Sequence, residues 1–365
     1  MSMGVYGKSS VDIRTVARRA GVSMATVSRV MNHAPTVDPK LASRVLKAAK
    51  ELHYTPNTQA RALVSGRSRL VGLIVSEIIN PFFPELIQNF EDATVIRGYE
   101  LLIGSTNYSP ARMSQCVRRM VERKVEGVAV MTFGMDEDLL QELAQCGIPV
   151  VSVGRSGTPK LSSSIDVDYR SGIREAVQHL AVMGHRDIAF ISGSLHLNAA
   201  RQRQAAYQAA MVQIGIKVPA HFIIEGDHTM EGGFAAAERL FSSPRMPTAV
   251  ICSNDMTAIG VLHSTSGRGL RVPKDISVVG FDDIHMARFT VPPLTTVRMA
   301  CSDLAAAALD ALQLKPSGAA KPVATTASPL VPTRLIVRQT TGLPRKAKLP
   351  KSRTRTTVPT PQRKD

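Results

Sequence analysis

The sequence contains no tryptophan, and aromatic residues make up only 4% of it, so its interior must be aliphatic, with ring stacking confined to a few places. Its four cysteines, Cys116, Cys146, Cys252 and Cys301, are far apart and form no CxxC pair. That spacing offers neither a disulfide framework nor a thiolate metal site, and predicts reduced, buried thiols. The nine histidines fall in no HExxH-type spacing. No GxSxG elbow, P-loop or GxGxxG fingerprint occurs, which leaves hydrolase, kinase and dehydrogenase chemistry without a site. No apolar run approaches the roughly 20 residues that cross a bilayer. The N-terminal stretch holds Lys8, Asp12, Arg14, Arg18 and Arg19 without the apolar core of a secretory leader. These absences predict a cytoplasmic, soluble protein that is not an enzyme, takes no cofactor or metal and has no membrane partner.

What the chain has in excess is positive charge, a formal +16, unevenly spread. Residues 1–68 carry 11 Lys/Arg against 3 acids, residues 69–340 carry 26 against 25, and residues 341–365 carry 8 against 1. A neutral body therefore lies between two basic ends. Lys and Arg displace the counterions condensed on nucleic acid, so a basic end that coincides with a recognition motif implies phosphate contact. The N-terminal end has such a motif. The C-terminal run, rich in Pro, Thr, Lys and Arg, has the composition of a solvated, disordered segment and no motif beside it.

The motif runs from Asp12 to Asn32. Ile13, Val16, Ala17 and Ala20 recur at i, i+3, i+4 and i+7, the spacing of one helix face. Gly21 suits a left-handed C-terminus, and the Ser23 hydroxyl can cap a second helix from Met24. Helix, short Gly-containing turn, helix is the layout in which the second helix enters the DNA major groove. A third helix is predicted after Asp38, with Pro39 at its first position and Leu41, Val45, Ala48 and Leu52 on one face. Pro56 stops it. Asn57 can cap a two-turn helix, Thr58 to Val64, too short to be stable without a partner.

From Leu70 the texture changes to apolar strands alternating with longer helical patterns. Strand starts fall near Leu70, Leu101, Val128 and Val150, then near Ile188, Phe222, Ala249 and Ser277, at intervals of βαβ units. Two such sets predict two doubly wound α/β lobes whose parallel sheets open a ligand cleft at the carboxyl ends of their strands. One more helix after Asp303 and a single late strand, Leu330 to Val337, complete the body.

Several motifs in order then resemble the LacI/GalR family of bacterial transcription regulators: Val22-Ser23-Met24-Ala25-Thr26-Val27-Ser28-Arg29-Val30-Met31-Asn32, Tyr54-Thr55-Pro56-Asn57, Ala60-Arg61-Ala62-Leu63, Asn80-Pro81-Phe82-Phe83, Met183-Gly184-His185-Arg186, Asn254-Asp255-Met256 and Gly280-Phe281-Asp282-Asp283. The resemblance covers roughly residues 11–340. It implies an all-α helix-turn-helix headpiece (10–56) after a disordered leader (1–9), a hinge helix and linker (57–68), and a two-lobed periplasmic-binding-protein-like core (69–340). In this scheme the N-lobe is about 69–168 plus 298–325, the C-lobe about 169–297 plus 326–340, and a disordered basic tail follows (341–365).

The resemblance also implies roles. Met24, Ala25, Ser28 and Arg29 match positions facing the major groove, and Asn32 a backbone contact. Leu63 matches a leucine wedged into the minor groove at the operator centre, with Asn57 and Ala60 beside it. Phe82 and Phe83 match the mouth of the effector cleft, and Arg203, Asn254 and Asp282 its polar contacts, a set suited to a polyhydroxylated ligand. Gly154 stands where some sugar-responsive members carry an acid. His185 reads as a loop residue, and Asp283 as pointing away from Asp282. The expected protein is a homodimeric repressor on a pseudo-palindromic duplex operator, its affinity set by a small carbohydrate. The alternatives are a purine- or nucleoside-dependent co-repressed regulator and a ligand-insensitive DNA-binding protein.

Overall fold

A computed structural model describes residues 11–31, 36–55, 66–132, 137–153, 163–314 and 329–345. Asn32, Asn57, Ala60, Leu63 and Gly154, with the expected leader, hinge helix and most of the tail, lie outside the described residues. The chain divides into two compact units, up to Arg69 and from Leu70 onward.

In the first unit, α1 (Ile13–Ala20), α2 (Met24–Met31) and α3 (Pro39–Glu51) form where the caps predict. Asp12 accepts from Thr15 N–H at 2.8 Å, Ser23 Oγ from Thr26 N–H at 3.1 Å, and Asp38 from Lys40 N–H at 2.8 Å. Each bond satisfies an amide donor that has no partner within its helix. Gly21 turns the chain with φ 64°, and a Cβ there would meet Arg44 Nη2 at 2.7 Å. Arg44 Nη2 donates to Ala20 O at 2.6 Å, tying α3 to the end of α1. Val16, Ala17, Ala20, Val27, Val30, Val45, Ala48 and Ala49 form the small shared core.

The second unit contains two sheets of the same design. In the first lobe β1 (Leu70–Val75), β2 (Glu100–Ser105), β3 (Val128–Met131), β4 (Val150–Val153) and β5 (Ser163–Val167) alternate with α4 (Phe82–Ile96), α5 (Pro110–Glu122) and α6 (Glu137–Gln145). In the second, β6 (Ile188–Ser192), β7 (Ile223–Glu225), β8 (Ala249–Cys252), β9 (Ser277–Asp282) and β10 (Thr295–Met299) alternate with α8 (Asn198–Gln213), α9 (Met230–Phe241) and α10 (Asp255–Gly267), following α7 (Tyr169–Val182). After α11 (Cys301–Ala311) come β11 (Leu330–Val331) and β12 (Thr333–Ile336). The strand orders are β11-β5-β4-β3-β1-β2 and β12-β10-β9-β8-β6-β7. Among the described residues every strand pairing is parallel except β10 with β12.

The late strand expected over Leu330–Val337 is therefore two strands in different sheets. Pro332 separates them, and its missing N–H cannot serve a ladder. The chain passes between lobes at Asp168, Ala300 and Pro332, three narrow connections. The described body also runs past residue 340: Thr341 is buried and His179 Nε2 lies 2.9 Å from its hydroxyl. His185 lies in the loop before β6, as expected, but is fully buried there, with Nδ1 2.8 Å from Thr248 Oγ1 and Nε2 2.8 Å from Gly342 O. Burial lowers its pKa and keeps it a neutral staple for the C-terminal segment. No helix among the described residues is long and apolar enough to cross a membrane.

α9 and α10 pack backbone to backbone through glycines. A Cβ on Gly260 would lie 2.1 Å from Met230 O, whereas one on Gly267 would meet nothing within 4 Å. Gly260→Ala should cost about 1–3 kcal/mol by forcing the helices apart. Gly267→Ala should gain up to about 1 kcal/mol from restricted unfolded-chain freedom. Urea unfolding of the two variants checks the opposite signs.

Candidate functional site

In the headpiece, packing of Val27 and Val30 into the core turns the opposite face of α2 outward. Met24 is 47% exposed, Ala25 and Arg29 are exposed, and Ser28 is half-buried. These four predicted residues share one face. Arg18 and Arg19, in the last turn of α1, add positive charge, with Arg19 bound to Glu51 at 2.7 Å. Such a face can place an arginine fork and apolar groups against base edges.

In the second unit, a cleft opens where the carboxyl ends of β1, β3, β6, β8 and β9 meet. Its empty space, the part open to solvent included, is about 690 Å³. All five predicted effector residues line it: Phe82, Phe83, Arg203, Asn254 and Asp282. This position is the topological switch of both sheets, where neighbouring connections depart to opposite faces and leave a crevice.

Arg203 and Asp282 form its charged floor. Both are 7% exposed, and Arg203 Nη2 reaches Asp282 Oδ1 at 3.5 Å. The guanidinium carbon lies 4.1 Å from the Phe281 ring centre and 5.0 Å from that of Tyr169, and Nη1 donates to Ser253 O at 2.6 Å. Arg203 Nε is buried and has no hydrogen-bond partner among the described residues. A buried donor left unpaired is costly, so this atom marks a place for an acceptor. Burial pushes the Asp282 carboxyl up to about 7; the Arg203 charge opposes that rise and Glu85 adds to it.

Asp282 and Asp283 both have positive φ, 110° and 59°. This uncommon backbone sends adjacent carboxylates in different directions. Asp283 accepts from Arg298 Nε at 2.6 Å and from Arg338 Nη2, so two ion pairs on one residue hold the turn while its neighbour enters the cleft. The two acids are thus no catalytic pair.

Asn254 caps α10: Oδ1 accepts from Thr257 N–H at 2.9 Å and Nδ2 donates to His228 O at 2.9 Å. Its cap role and its place in the cleft coexist, because each amide atom retains further hydrogen-bonding capacity. Phe82 and Phe83 are half-buried at the first turn of α4, their rings 5.3 Å apart at 74°. Asn80 Oδ1 accepts from Phe82 N–H at 3.1 Å and sets this entry.

Sequence reasoning missed His228, Tyr108, Tyr169, Ser76 and Thr132 in the lining. His228 Nε2 lies 2.9 Å from Ser253 Oγ, and its ring sits on Gly193, where a Cβ would meet Nε2 at 2.0 Å. Burial and the Arg203 charge lower its pKa to about 3, so the ring is neutral. The expected strand at Phe222 followed by a helix near Gly232 already put residues 226–231 at a carboxyl end, the signal that locates His228. Tyr108 carries no comparable signal, since its place follows from the positive φ at Asn107 and Tyr108. No group of three or more His, Cys, Asp or Glu suited to a metal occurs among the described residues.

Residues 12–57 match the family model described as bacterial regulatory proteins, lacI family, and residues 177–341 match a periplasmic binding protein-like domain. Catabolite control protein A of Priestia megaterium is 34% identical over 82% of this chain and 91% of its own length. The ribose operon repressor of Escherichia coli K12 is 34% identical over 82% of this chain and 91% of its own. Among solved structures, the lac repressor dimer bound to operator and the anti-inducer ONPF superposes with a TM-score of 0.78 at 30% identity, covering 91% of this chain and 99% of that one. A complex of the transcriptional regulator CelR with cellobiose gives a TM-score of 0.64 at 30% identity, covering 90% and 99%. With a helix-turn-helix headpiece, a two-lobed core and this identity over most of its length, the chain belongs to the lacI family of bacterial transcription regulators.

Proposed function

We infer that the protein is a homodimeric repressor whose operator affinity is set by a neutral, hydroxyl-rich small molecule, a sugar, held between the lobes. The observation that carries the reading is the Arg203–Asp282 pair at the cleft floor, with the buried Arg203 Nε lacking an acceptor. Arg203 donates, Asp282 accepts from vicinal hydroxyls, and Phe82 and Phe83 offer apolar faces to a ring. The cellobiose complex of a related regulator supports a carbohydrate. A dimer places two recognition helices on two half-sites, and the operator-bound lac repressor dimer supports that assembly. Closure of the lobes on ligand alters DNA affinity by linkage, with a coupling of about 1–3 kcal/mol. Asn32, Asn57, Ala60 and Leu63 take the backbone and minor-groove roles that the family resemblance assigns. A nucleoside would need the same floor, so a ligand panel separates the two classes.

A thermal-shift screen of sugars and nucleosides should return a sugar that stabilises the chain by about 2.7 kcal/mol at 100 times its dissociation constant. Asp282→Asn should abolish that shift while leaving ligand-free operator binding unchanged; an undiminished shift removes Asp282 from the site.

The carboxylate form of Asp282 is the one that accepts ligand hydroxyls. Below its folded value of about 7, each fall of one pH unit should therefore weaken ligand binding about tenfold, with a plateau above 7. Calorimetric titration from pH 5.5 to 8.5 reads this, and an affinity that stays constant across that range removes the Asp282 carboxylate from ligand binding.

Arg29 is the base-reading fork of α2. Arg29→Ala should lower discrimination between a selected operator and random duplex by about 1–3 kcal/mol, roughly 5- to 150-fold, while random-duplex affinity changes little. Competitive anisotropy titrations measure the ratio.

A further inference from the structure

The two lobes touch at the mouth of the cleft as well as at their chain crossings. Glu85, in the first turn of α4, belongs to the first lobe, and its Oε1 accepts from the backbone N–H of His285, in the second lobe, at 2.7 Å. The bond joins residues 200 positions apart.

An acidic side chain in a first turn ordinarily serves its own helix, whose leading amides lack partners within it. In α4 those amides are served otherwise. Asn80 O accepts from Phe83 N–H at 3.0 Å, Asn80 Oδ1 accepts from Phe82 N–H at 3.1 Å, and Pro84 has no N–H to offer. The Glu85 carboxylate is thereby left to the opposite lobe. The amide it meets is equally available: His285 opens the short 3-10 turn His285–Arg288, and Ile284 before it supplies no side-chain cap.

That turn follows directly on Asp282 and Asp283, so the grip falls three residues from the acid of the cleft floor. The Glu85 charge is felt there, since it adds to the rise of the Asp282 carboxyl. Phe82, three positions before Glu85 and hence on the same helix face, packs against the buried cluster of the second lobe that contains Ile284, Ala287 and Leu294. One polar and one apolar side chain of a single helix face therefore bridge the lobes.

We propose that Glu85 is a positioning residue of the cleft, a strap that holds the first lobe to the turn carrying Asp282 and sets the resting fraction of closed cleft. A hydrogen bond from an amide to a carboxylate is stronger than one between neutral groups. Ligand binding draws on the closed fraction, so a cleft already held shut binds with less to reorganise. The inference concerns contacts within the chain and is the same whether the ligand is a sugar or a nucleoside.

Amide hydrogen exchange, followed by mass spectrometry on the full chain without added ligand, tests it. Glu85→Ala removes the acceptor, Glu85→Gln keeps an acceptor oxygen without the charge, and His285→Pro removes the donor. Ile284, at φ −57° and ψ 152°, already has the backbone that a following proline requires. Exchange at His285 should be about tenfold faster in Glu85→Ala. Exchange should also be about threefold faster in 106–109 and 226–229, which line the cleft around Tyr108 and His228 and are distant from Glu85 in sequence. In the parent, Thr106 N–H donates to Val75 O, Asn107 N–H to Ser76 O and Gly226 N–H to Ser192 O, so these segments have protection to lose. His285→Pro should reproduce the change in the two segments, and Glu85→Gln should stay within about twofold of the parent. The double variant Glu85→Ala with His285→Pro should go no further than either alone, because both remove one bond. Acceleration confined to 283–289, no acceleration, or additive acceleration in the double variant overturns the proposal. If Glu85→Ala does not fold, His285→Pro against the parent decides. A ligand screen that returns no sugar leaves these exchange rates as expected, so failure of the sugar reading is told apart from failure of the strap.

Discussion

The ligand cleft depends on one electrostatic arrangement, the buried pair of Arg203 and Asp282 and the turn that points Asp282 inward. Two charges out of water are tolerable only when each is held by further bonds. Arg203 obtains them from Ser253 O and from the faces of Tyr169 and Phe281, while the turn at Asp282–Asp283 is held by Arg298 and Arg338. Because the pair sits at 3.5 Å with Arg203 Nε unpartnered, the floor is incompletely satisfied, a state that a polar ligand can complete.

The surrounding fold supplies these bonds from distant parts of the chain. Arg298 lies on β10 at a lobe crossing, Arg338 follows β12, and Arg203 projects from α8. Asp282 therefore gathers its support through segments near the connections at Ala300 and Pro332. The C-terminal segment contributes as well, since Thr340, Thr341 and Gly342 bond to β9, His179 and His185 and finish the second sheet's flank.

The helix caps, the period of the apolar residues and the βαβ spacing made most elements legible beforehand, because each depends on neighbours within a few residues. Asp12, Ser23 and Asp38 act within three positions of themselves, and β1, β3 and β9 start where their apolar runs start. The splitting of Leu330–Val337 was not legible in that way, since which sheet a short strand joins depends on where the lobes lie. The burial of His185 within its loop was not legible for the same reason: nothing near it in sequence announces Thr248 or Gly342 as partners.

Of the cleft residues, Arg203, Asn254 and Asp282 were implied by the family resemblance, whereas His228, Tyr108 and Tyr169 were not. By itself the sequence determined the basic headpiece, the doubly wound lobes and the family, since local periodicity, charge and ordered motifs are properties of the chain as written. Only the tertiary structure decided that Arg298 and Arg338 hold the turn at Asp283, that Asn254 is both cap and lining, and that a neutral His228 ring lies over Gly193. Those outcomes depend on burial and on partners tens to hundreds of residues away, where desolvation and packing, not local preference, set the free energy.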